Sequence, residues 1–320
     1  MAFVLGLVIP GLIFMVAEKW YLHANKKQPG QIFSTEQNSE PTSPQNTREH
    51  KINVLNAASE VESMELNTYI IGVLLGELPA EFDVETMKAQ AVVARTYALK
   101  RQQTAQKHNN AVCVDSACCQ AYCAVDAYLA KGGTQETVDK ITSAVSATEY
   151  QILTYNNQLI EATYFSCSGG RTEDAVAVWG AEIPYLQAVD SPGEEQATHY
   201  TDSVQFTKQE FTELLQISPK GQAATWFGEI TYTNGGGVDT MVIAGKIFKG
   251  TDLRKLLGLR STVFTVTAVG DSVHIATKGF GHRVGMSQYG AEAMAVRGEN
   301  YVQILSHYYP GTVLKDYGQN

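Results

Sequence analysis

The chain has 320 residues, of which 44% are hydrophobic and 18% are charged, and its formal net charge is −9. This length and balance are typical of a folded chain with one large domain or two ordinary ones, and they exclude disorder of the whole protein. An acidic chain lacks the electrostatic footprint of a nucleic-acid-binding protein, so we expect no nucleic-acid partner.

The N-terminal 22 residues differ from the rest of the chain. Residues 2–17 form an unbroken run of apolar and small residues, and Trp20 and Tyr21 follow it. Counted to Leu22, the run is long enough to span a bilayer with an aromatic pair at the interface. A cleaved signal peptide is the alternative, but no basic segment precedes the run and no small-x-small pair ends it. We therefore predict that residues 1–22 are a retained single-pass membrane anchor, whose orientation the flanking charges leave open.

Residues 23–50 are rich in Gln, Asn, Ser, Thr and Pro. Such a composition buries no core and predicts a flexible linker. From residue 51 to residue 320 the pattern is that of one globular domain.

Helix and hairpin patterns are interspersed in this domain without a regular βαβ rhythm. We predict strands over 51–56, 150–155, 159–165, 261–268 and 272–277, and helices over 66–77, 84–103, 207–215, 251–257, 287–297 and 299–308. These elements indicate an α+β fold, a mixed helix and antiparallel-sheet catalytic domain with a substrate groove.

The most informative position is Glu77, at the end of the 66–77 helix, for which Asn67 is the expected N-cap. Ile70, Val73 and Leu74 have the i, i+3, i+4 spacing of a buried stripe, and Glu77 is its next step. A carboxyl there loses solvation, which favours its protonated form, as a general acid requires. The alternative is a helix-end glutamate that faces solvent, because a proline follows two residues later.

A short loop concentrates four of the five cysteines within eleven residues, with His108 just upstream. They are Cys113, Cys118, Cys119 and Cys123. Disulfides are the default for an exported chain. Thiolates and an imidazole close together equally suit tetrahedral zinc, so both interpretations stay open at this point. Cys167 stands apart as a free thiol or a further ligand.

Several segments together resemble one family. They are Tyr69–Phe82, Lys88–Tyr97, Tyr164–Gly170, Val178–Gly180, Pro184–Leu186, Gly281–Ala291 and Ile304–Gly311. Their identity and order are similar to those of the stage II sporulation protein D family. The resemblance covers the chain from about residue 51 to its end.

The resemblance implies a membrane-anchored lytic transglycosylase that cleaves peptidoglycan glycan strands during forespore engulfment. The bond cleaved lies between N-acetylmuramic acid and N-acetylglucosamine, and the product carries a 1,6-anhydro end. The family's catalytic acid falls on Glu77 and not on Glu81. A single carboxylate suffices in such a reaction, because the substrate's own 6-hydroxyl is the nucleophile, whereas ordinary glycosidases need two carboxylates.

Six further residues are expected to bind substrate. They are Arg95, Ser166, Ser168, Gly169, His282 and Gln288. For Arg95 a buried ion pair is an equal alternative, and for His282 the alternative is a satisfied core residue.

The family resemblance also favours zinc. Members of its sporulation branch hold zinc in a loop similar to Cys-x-Asp-x-x-His-Cys-Gln-x-Tyr, and residues 113–122 keep this frame with Cys118 where His is common. The implied ligands are His108, Cys113, Cys118 and Cys119. Cys167 is a second departure, since Ser or Thr is more usual there.

The resemblance finally implies a location and partners. The catalytic domain is expected outside the cytoplasm, on the mother-cell membrane facing the septal wall. Expected partners are glycan strands stripped of their stem peptides, a sporulation amidase and a multi-span membrane protein of the engulfment machinery. Two alternatives are a zinc-dependent cell-wall amidase and a non-catalytic wall-binding scaffold.

Overall fold

The computed structural model describes residues 50–56, 58–104 and 108–317. The predicted membrane anchor and all but the last residue of the predicted linker lie outside the described residues. Within the described part, no helix is both long and apolar enough to cross a bilayer.

The described helices and strands alternate irregularly along the chain. The helices are α1 (Leu66–Glu77), α2 (Val84–Thr104), α3 (Val125–Ala130), α4 (Gln135–Ala147), α5 (Ala175–Trp179), α6 (Lys208–Leu215), α7 (Gly250–Leu256), α8 (Gln288–Val296) and α9 (Tyr301–Tyr308). The strands are β1 (Lys51–Leu55), β2 (Val61–Glu65), β3 (Val112–Cys113), β4 (Gln151–Tyr155), β5 (Gln158–Leu159), β6 (Tyr164–Phe165), β7 (Thr201–Thr207), β8 (Phe227–Tyr232), β9 (Val238–Ile243), β10 (Lys246–Lys249), β11 (Val263–Val269), β12 (Ser272–Lys278), β13 (Met286–Ser287) and β14 (Val313–Asp316).

These strands form small, mostly antiparallel sheets. The sheets have the orders β2-β1-β3, β14-β4-β5, β11-β12-β7 and β10-β9-β8, and β13 pairs with β6. Among the described strands, β1 with β3 and β6 with β13 are the parallel pairs. The expected mixed helix and antiparallel-sheet architecture is confirmed for this part of the chain.

Helix α2 lies at the centre of the helical region. It packs against α1 and α4 and also against α8, α9 and β4. Its stretch 89–95 is buried throughout, and the alanines there allow close approach of the neighbouring helices. Two hydrophobic cores therefore meet at α2, one beneath α1 and the other beneath α8 and α9.

Residues 201–278, here called the inserted module, have a core of their own. Strands β7 to β12 with α6 and α7 enclose Phe211, Trp226 and Phe264. The chain enters and leaves this module at one point, where the Gly279 amide donates to the Tyr200 carbonyl at 2.8 Å. Half of the module's helices and strands were predicted, namely α6, α7, β11 and β12. Strands β7, β8, β9 and β10 were missed, as were α3, α4 and α5 outside the module.

The start of α1 corrects the predicted N-cap. Glu65 is the N-cap, and its carboxylate accepts a hydrogen bond from the Thr68 amide. Asn67 is already inside the helix, and its side chain donates to Glu149. The glutamate side chain is long enough to reach the Thr68 amide from Glu65. The usual preference for asparagine at the N-cap therefore gave the wrong residue.

The predicted hairpin is confirmed at its turn but not in its second arm. Asn156 and Asn157 both adopt positive φ, at 50° and 61°, as a tight turn between β4 and β5 requires. The predicted strand 159–165 is broken, because β5 ends at Leu159 and β6 begins only at Tyr164. Strand β6 pairs instead with β13, and this pairing brings two distant motifs together.

Candidate active site

Glu77 occupies the last residue of α1, at the edge of the helical core. Ile70, Val73 and Leu74 are fully buried, so the predicted apolar stripe is confirmed. Glu77 continues that stripe but is only half-buried. The helix ends there because Leu78 takes an extended conformation, so the carboxylate faces the adjoining loop and not the core.

Three donors from distant segments converge on the Glu77 carboxylate. The Ala121 amide donates to Oε1 at 2.7 Å, and the Tyr164 hydroxyl donates to the same atom at 3.1 Å. The side-chain amide of Gln288 approaches Oε2 at 3.4 Å. The two oxygens are therefore unequal: Oε1 has two short partners, whereas Oε2 has one long contact and is the freer atom.

Tyr164 is held as a donor by its surroundings. Burial raises its pKa well above the ordinary value, and the negative charge of Glu77 raises it further, so the hydroxyl keeps its proton. The side-chain amide of Gln120 donates to the Tyr164 oxygen at 3.1 Å, and the Tyr69 hydroxyl approaches Gln120 Oε1 at 3.5 Å. A short chain of hydrogen bonds thus orients Tyr164 toward Glu77.

Two glycines on α1 make room for the segment that carries the Ala121 amide. A Cβ on Gly72 would lie 2.2 Å from the Tyr122 ring, and one on Gly76 would lie 2.9 Å from the Tyr122 backbone nitrogen. The Cys123 amide also donates to the Gly72 carbonyl at 2.9 Å. The pattern Gly72-x-x-x-Gly76 was a usable signal in the sequence, because glycines one turn apart allow backbone to pack directly on a helix.

The expected metal ligands come together in one cluster. The ligand atoms of His108, Cys113, Cys118 and Cys119 all lie within 4.8 Å of one another. The amides of Cys118 and Cys119 both donate to the Asp115 carbonyl, and this tight turn lets adjacent cysteines face one point. No cysteine in the described residues forms a disulfide.

The donor set in this cluster suits zinc. A hydrogen bond from Cys119 lowers the pKa of Cys113 to about 5, and the same bond raises the pKa of Cys119, so the pair holds one thiolate. Thiolates and a neutral imidazole are the usual ligands of structural zinc, and four protein ligands complete its tetrahedral shell. Cys119 is two residues from Ala121, so the cluster adjoins the segment that contacts Glu77.

Arg95 is not placed beside Glu77. It is 1% exposed, and its guanidinium donates to the carbonyls of Val145 and Gln151, at 3.3 and 3.1 Å. Burial lowers its pKa to about 10. These contacts tie α2 to α4 and β4 through backbone carbonyls, so they are neither the buried ion pair of the alternative nor a contact with Glu77.

The residues of the 166–170 loop face different ways. Ser168 is fully buried, and its hydroxyl and amide donate to the buried carboxylate of Glu194. Gly169 donates its amide to the same carboxylate. Ser166 is half-buried, and its carbonyl accepts from the Tyr289 amide at 3.0 Å. The loop is thus a supporting wall, and the donors of Ser168 and Gly169 are directed inward rather than at a substrate.

His282 and Gln288 have different surroundings. His282 packs between Phe165 and Trp179, with ring centroids 5.6 Å away in both cases, and its Nδ1 accepts from the Val284 amide. Burial, with a smaller effect of a nearby arginine, lowers the pKa of His282 to about 4. The structure therefore fits the core alternative for His282, and it brings Gln288 to the Glu77 carboxylate.

Sequence reasoning gave no role to several residues that organise the site. These are Gln120, Ala121, Tyr164 and Glu194. Gln120, Ala121 and Tyr164 lie inside the motifs that carried the resemblance, but no spacing rule shows that their donors meet at Glu77. Glu194 lies outside every motif, and we find no local signal for it.

Comparison with known proteins gives sequence matches over the part of the chain that carries Glu77. Residues 55–155, which include Glu77 and the cysteine loop, match the family model described as stage II sporulation protein. Stage II sporulation protein D of Bacillus subtilis (strain 168) is 41% identical over 266 residues, covering 81% of this chain and 77% of that protein. The protein of the same name from Bacillus amyloliquefaciens is 40% identical over 262 residues, covering 80% and 76%.

A more distant relative is the amidase enhancer of Bacillus subtilis (strain 168), 28% identical over 77% of this chain and 40% of its own length. The two nearer relatives match about four-fifths of this chain, at an identity that establishes common descent. The chain therefore belongs to the stage II sporulation protein D family, a family involved in sporulation.

Proposed function

We propose that this protein is a lytic transglycosylase that cleaves the N-acetylmuramic acid to N-acetylglucosamine bond of peptidoglycan glycan strands. The observation that carries the proposal is the half-buried carboxylate of Glu77: its Oε2 is nearly free to carry a proton, and no second carboxylate is among its hydrogen-bond partners in the described residues. A reaction with a nucleophile supplied by the substrate needs one such group, whereas hydrolysis by a glycosidase needs two.

In this mechanism Glu77 acts first as acid and then as base. Its Oε2, the freer oxygen, delivers a proton to the glycosidic oxygen as the bond to the anomeric carbon breaks. The same oxygen then takes the proton of the muramic 6-hydroxyl as that hydroxyl closes the 1,6-anhydro ring. Tyr164 and the Ala121 amide hold Oε1, which keeps the carboxylate from rotating between the two steps.

We propose zinc as a structural cofactor held by His108, Cys113, Cys118 and Cys119, whose ligand atoms are already gathered. When bound, the ion would supply charge neutralisation and cross-linking for a thiolate-rich loop. A full set of four protein ligands leaves no position for a reactive water. This argues against a zinc-dependent amidase, in which the metal must activate water.

Product analysis with a matched pair of variants tests the activity. We expect Glu77→Gln to lower glycan cleavage by about 10²–10⁴-fold, the usual contribution of a general acid, with fold and metal content unchanged. Glu81→Gln is the control, because Glu81 lies four residues later and is exposed. Anhydro-ended fragments one water lighter than hydrolysed ends support the proposal.

Three outcomes would contradict it. Full cleavage by the Glu77→Gln variant would remove Glu77 from the mechanism. Release of stem peptides would indicate an amidase. Binding to purified glycan strands without any cleavage would indicate a wall-binding scaffold.

The metal has its own test. We expect about one zinc per folded chain, and a fall in thermal stability when a chelator removes it, because metal binding is coupled to folding of such loops. Cys123 lies outside the cluster, with its thiol against the Ala124 carbonyl, so Cys123→Ser is the control that keeps the metal. Native protein in which Cys113 forms a disulfide would reject the zinc site.

The cellular setting is proposed together with the reaction. The protein would act on the mother-cell membrane, anchored by residues 1–22, with residues 51–320 facing the septal wall. Its substrate would be strands from which an amidase has removed the stem peptides, and its partners that amidase and a multi-span membrane protein. Fractionation of sporulating cells with and without residues 1–22 checks the anchor.

A further inference from the structure

A second buried carboxylate lies behind the active-site wall. Glu194 stands in a short 3-10 turn, Glu194–Gln196, just before the inserted module, and is 1% exposed. Burying an ionised carboxyl is costly unless donors surround it. The proposed reaction does not use Glu194.

The donors around Glu194 come from three separate segments. Its Oε2 accepts from the Ser168 amide at 2.8 Å, the Ser168 hydroxyl at 2.7 Å and the Gly169 amide at 2.9 Å, with the Gly170 amide at 3.4 Å. Its Oε1 accepts from the hydroxyls of Ser191, at 2.7 Å, and Ser287. One oxygen therefore holds the 168–170 loop, and the other holds the residue that begins α8.

The directions of these hydrogen bonds fit an ionised Glu194 carboxylate, which only accepts. Ser191 Oγ also contacts the Tyr308 hydroxyl at 2.6 Å, and burial raises the pKa of Tyr308, so that hydroxyl keeps its proton and donates to Ser191. Ser191 in turn donates to Glu194. An ionised carboxylate is an acceptor only, and every contact here presents a donor to it.

Both segments held by Glu194 continue directly to Glu77. Ser287 caps α8 by accepting the Gly290 amide at 3.1 Å, and the next residue is Gln288, whose amide approaches Glu77 Oε2. The other segment leads back along the chain from Ser168 through Ser166 to Tyr164, the donor to Glu77 Oε1. A displacement at Glu194 therefore reaches two of the three groups that hold the catalytic carboxylate.

We propose that Glu194 is a positioning residue, which fixes the 168–170 loop and the start of α8 so that Tyr164 and Gln288 face Glu77. It touches no substrate and acts through those two residues. The proposal rests on the proposed transglycosylase reaction, which it deepens by extending the machinery to a residue outside the shared motifs.

The Glu194→Gln variant tests this role, because glutamine keeps the shape but turns an amide nitrogen toward donors. We expect kcat to fall about 10- to 100-fold with KM changed less than about twofold, since small misplacements of catalytic groups act on the rate. Ile243→Ala is the control: it removes a buried side chain from the separate core of the inserted module. It lowers stability but leaves kcat unchanged where the variant is folded.

A readout that does not need activity separates this proposal from the proposed function. The NMR resonance of the Gln288 side-chain amide is expected to shift, and the Gly169 amide to exchange faster, in Glu194→Gln but not in Ile243→Ala. Should the wild type cleave no glycan, the proposed reaction fails, while this comparison still decides the positioning role of Glu194.

A second variant serves where Glu194→Gln does not fold. Ser191→Ala removes only one donor to Glu194, and it is expected to show the same changes to a smaller degree. Unchanged kcat, or an unmoved Gln288 resonance, overturns the proposal.

Discussion

At the scale of single residues, the two oxygens of the Glu77 carboxylate have unequal hydrogen bonding. Oε1 of Glu77 is occupied by the Ala121 amide and the Tyr164 hydroxyl, and Oε2 is nearly free. This arrangement leaves one oxygen for proton transfer and uses the other to orient the group. A lone helix-end glutamate without these donors would lack such a preference.

Removing one of these donors is expected to slow catalysis without loss of fold. Tyr164→Phe should lower kcat about 10- to 100-fold, because a hydrogen bond to a charged group contributes about 1.5–3 kcal/mol. Tyr122→Phe is the control, since the Tyr122 hydroxyl contacts only the Met64 sulfur among described side chains, at 3.7 Å. Steady-state cleavage of purified glycan strands measures both, and equal rates for the two variants would contradict the role of Tyr164.

His282 is expected to make stability depend on pH. Its folded pKa of about 4 lies below the ordinary 6.5, so the unfolded chain binds the proton first as the pH falls. Relative to a His282→Asn variant, the wild type should therefore lose stability between pH 6.5 and pH 4 and show no such loss above pH 6.5. Urea unfolding at several pH values measures this difference.

The exposed His274 supplies the comparison for that experiment. A His274→Asn variant should keep the wild-type loss of stability on acidification. Parallel pH curves for the wild type and His282→Asn would show that His282 is not buried as described.

At the scale of elements, α1 serves as a platform as well as a carrier of Glu77. Its glycine face at Gly72 and Gly76 receives residues 121–123, and that contact delivers the Ala121 amide. The same segment follows directly from the Cys/His cluster. The Cys/His cluster and Glu77 are therefore linked through a few residues of backbone.

Adding a side chain to the glycine face of α1 is expected to destabilise the protein. Gly76→Ala would ordinarily strengthen a helix by about 1 kcal/mol. Here the new Cβ would lie 2.9 Å from the Tyr122 backbone nitrogen. A backbone atom cannot move aside by a change of side-chain rotamer, so the steric clash outweighs the gain in helix propensity. We expect a lower melting temperature and slower cleavage. Thr68→Ala, on the exposed side of α1, should change neither by much, and a stabilised Gly76→Ala variant would refute the close approach.

At the scale of the whole molecule, a buried ion pair outside the inserted module holds one turn of that module by hydrogen bonds. Arg283 and Glu173 are each 1% exposed, with 3.5 Å between Nη1 and Oε2, and Arg283 also donates to the Ser168 and Gly235 carbonyls. The Gly235 amide donates to Glu173 at 3.1 Å. The turn at 233–237 of the module is thereby bound to the 166–170 loop.

Breaking this pair is expected to cost much more than breaking a surface pair. Arg283→Met should lower the free energy of unfolding by about 3–5 kcal/mol, because it leaves the Glu173 carboxylate buried and uncompensated. Arg297 pairs with Glu299 at the surface, and Arg297→Met should cost only about 0–1 kcal/mol. Urea unfolding compares the two, and equal losses would contradict the claim that Arg283→Met leaves Glu173 buried and uncompensated.

Much of the helical half could be predicted from sequence because its elements carry local signals. The Ile70, Val73 and Leu74 stripe, the alanine run of α2 and the turn at Asn156 are determined by spacing and residue type within a few positions. In the inserted module, α6, α7, β11 and β12 could also be predicted, whereas β7 to β10 were missed. Strand β8 pairs with β9 through register shifts, and β7 pairs with β12, which is distant in sequence. The broken 159–165 strand shows the same limit, because β6 exists through its pairing with β13.

The sequence by itself determined that Glu77 continues an apolar stripe, that four metal-type ligands lie close along the chain, and which family the motifs resemble. Only the tertiary structure decided which of the candidate residues meet: Gln288 at Glu77, Arg95 and Ser168 away from it, and Glu194 behind the wall. The physical reason is range. Periodicity and capping act over a few residues, whereas the donors to Glu77 lie 44, 87 and 211 positions away along the chain.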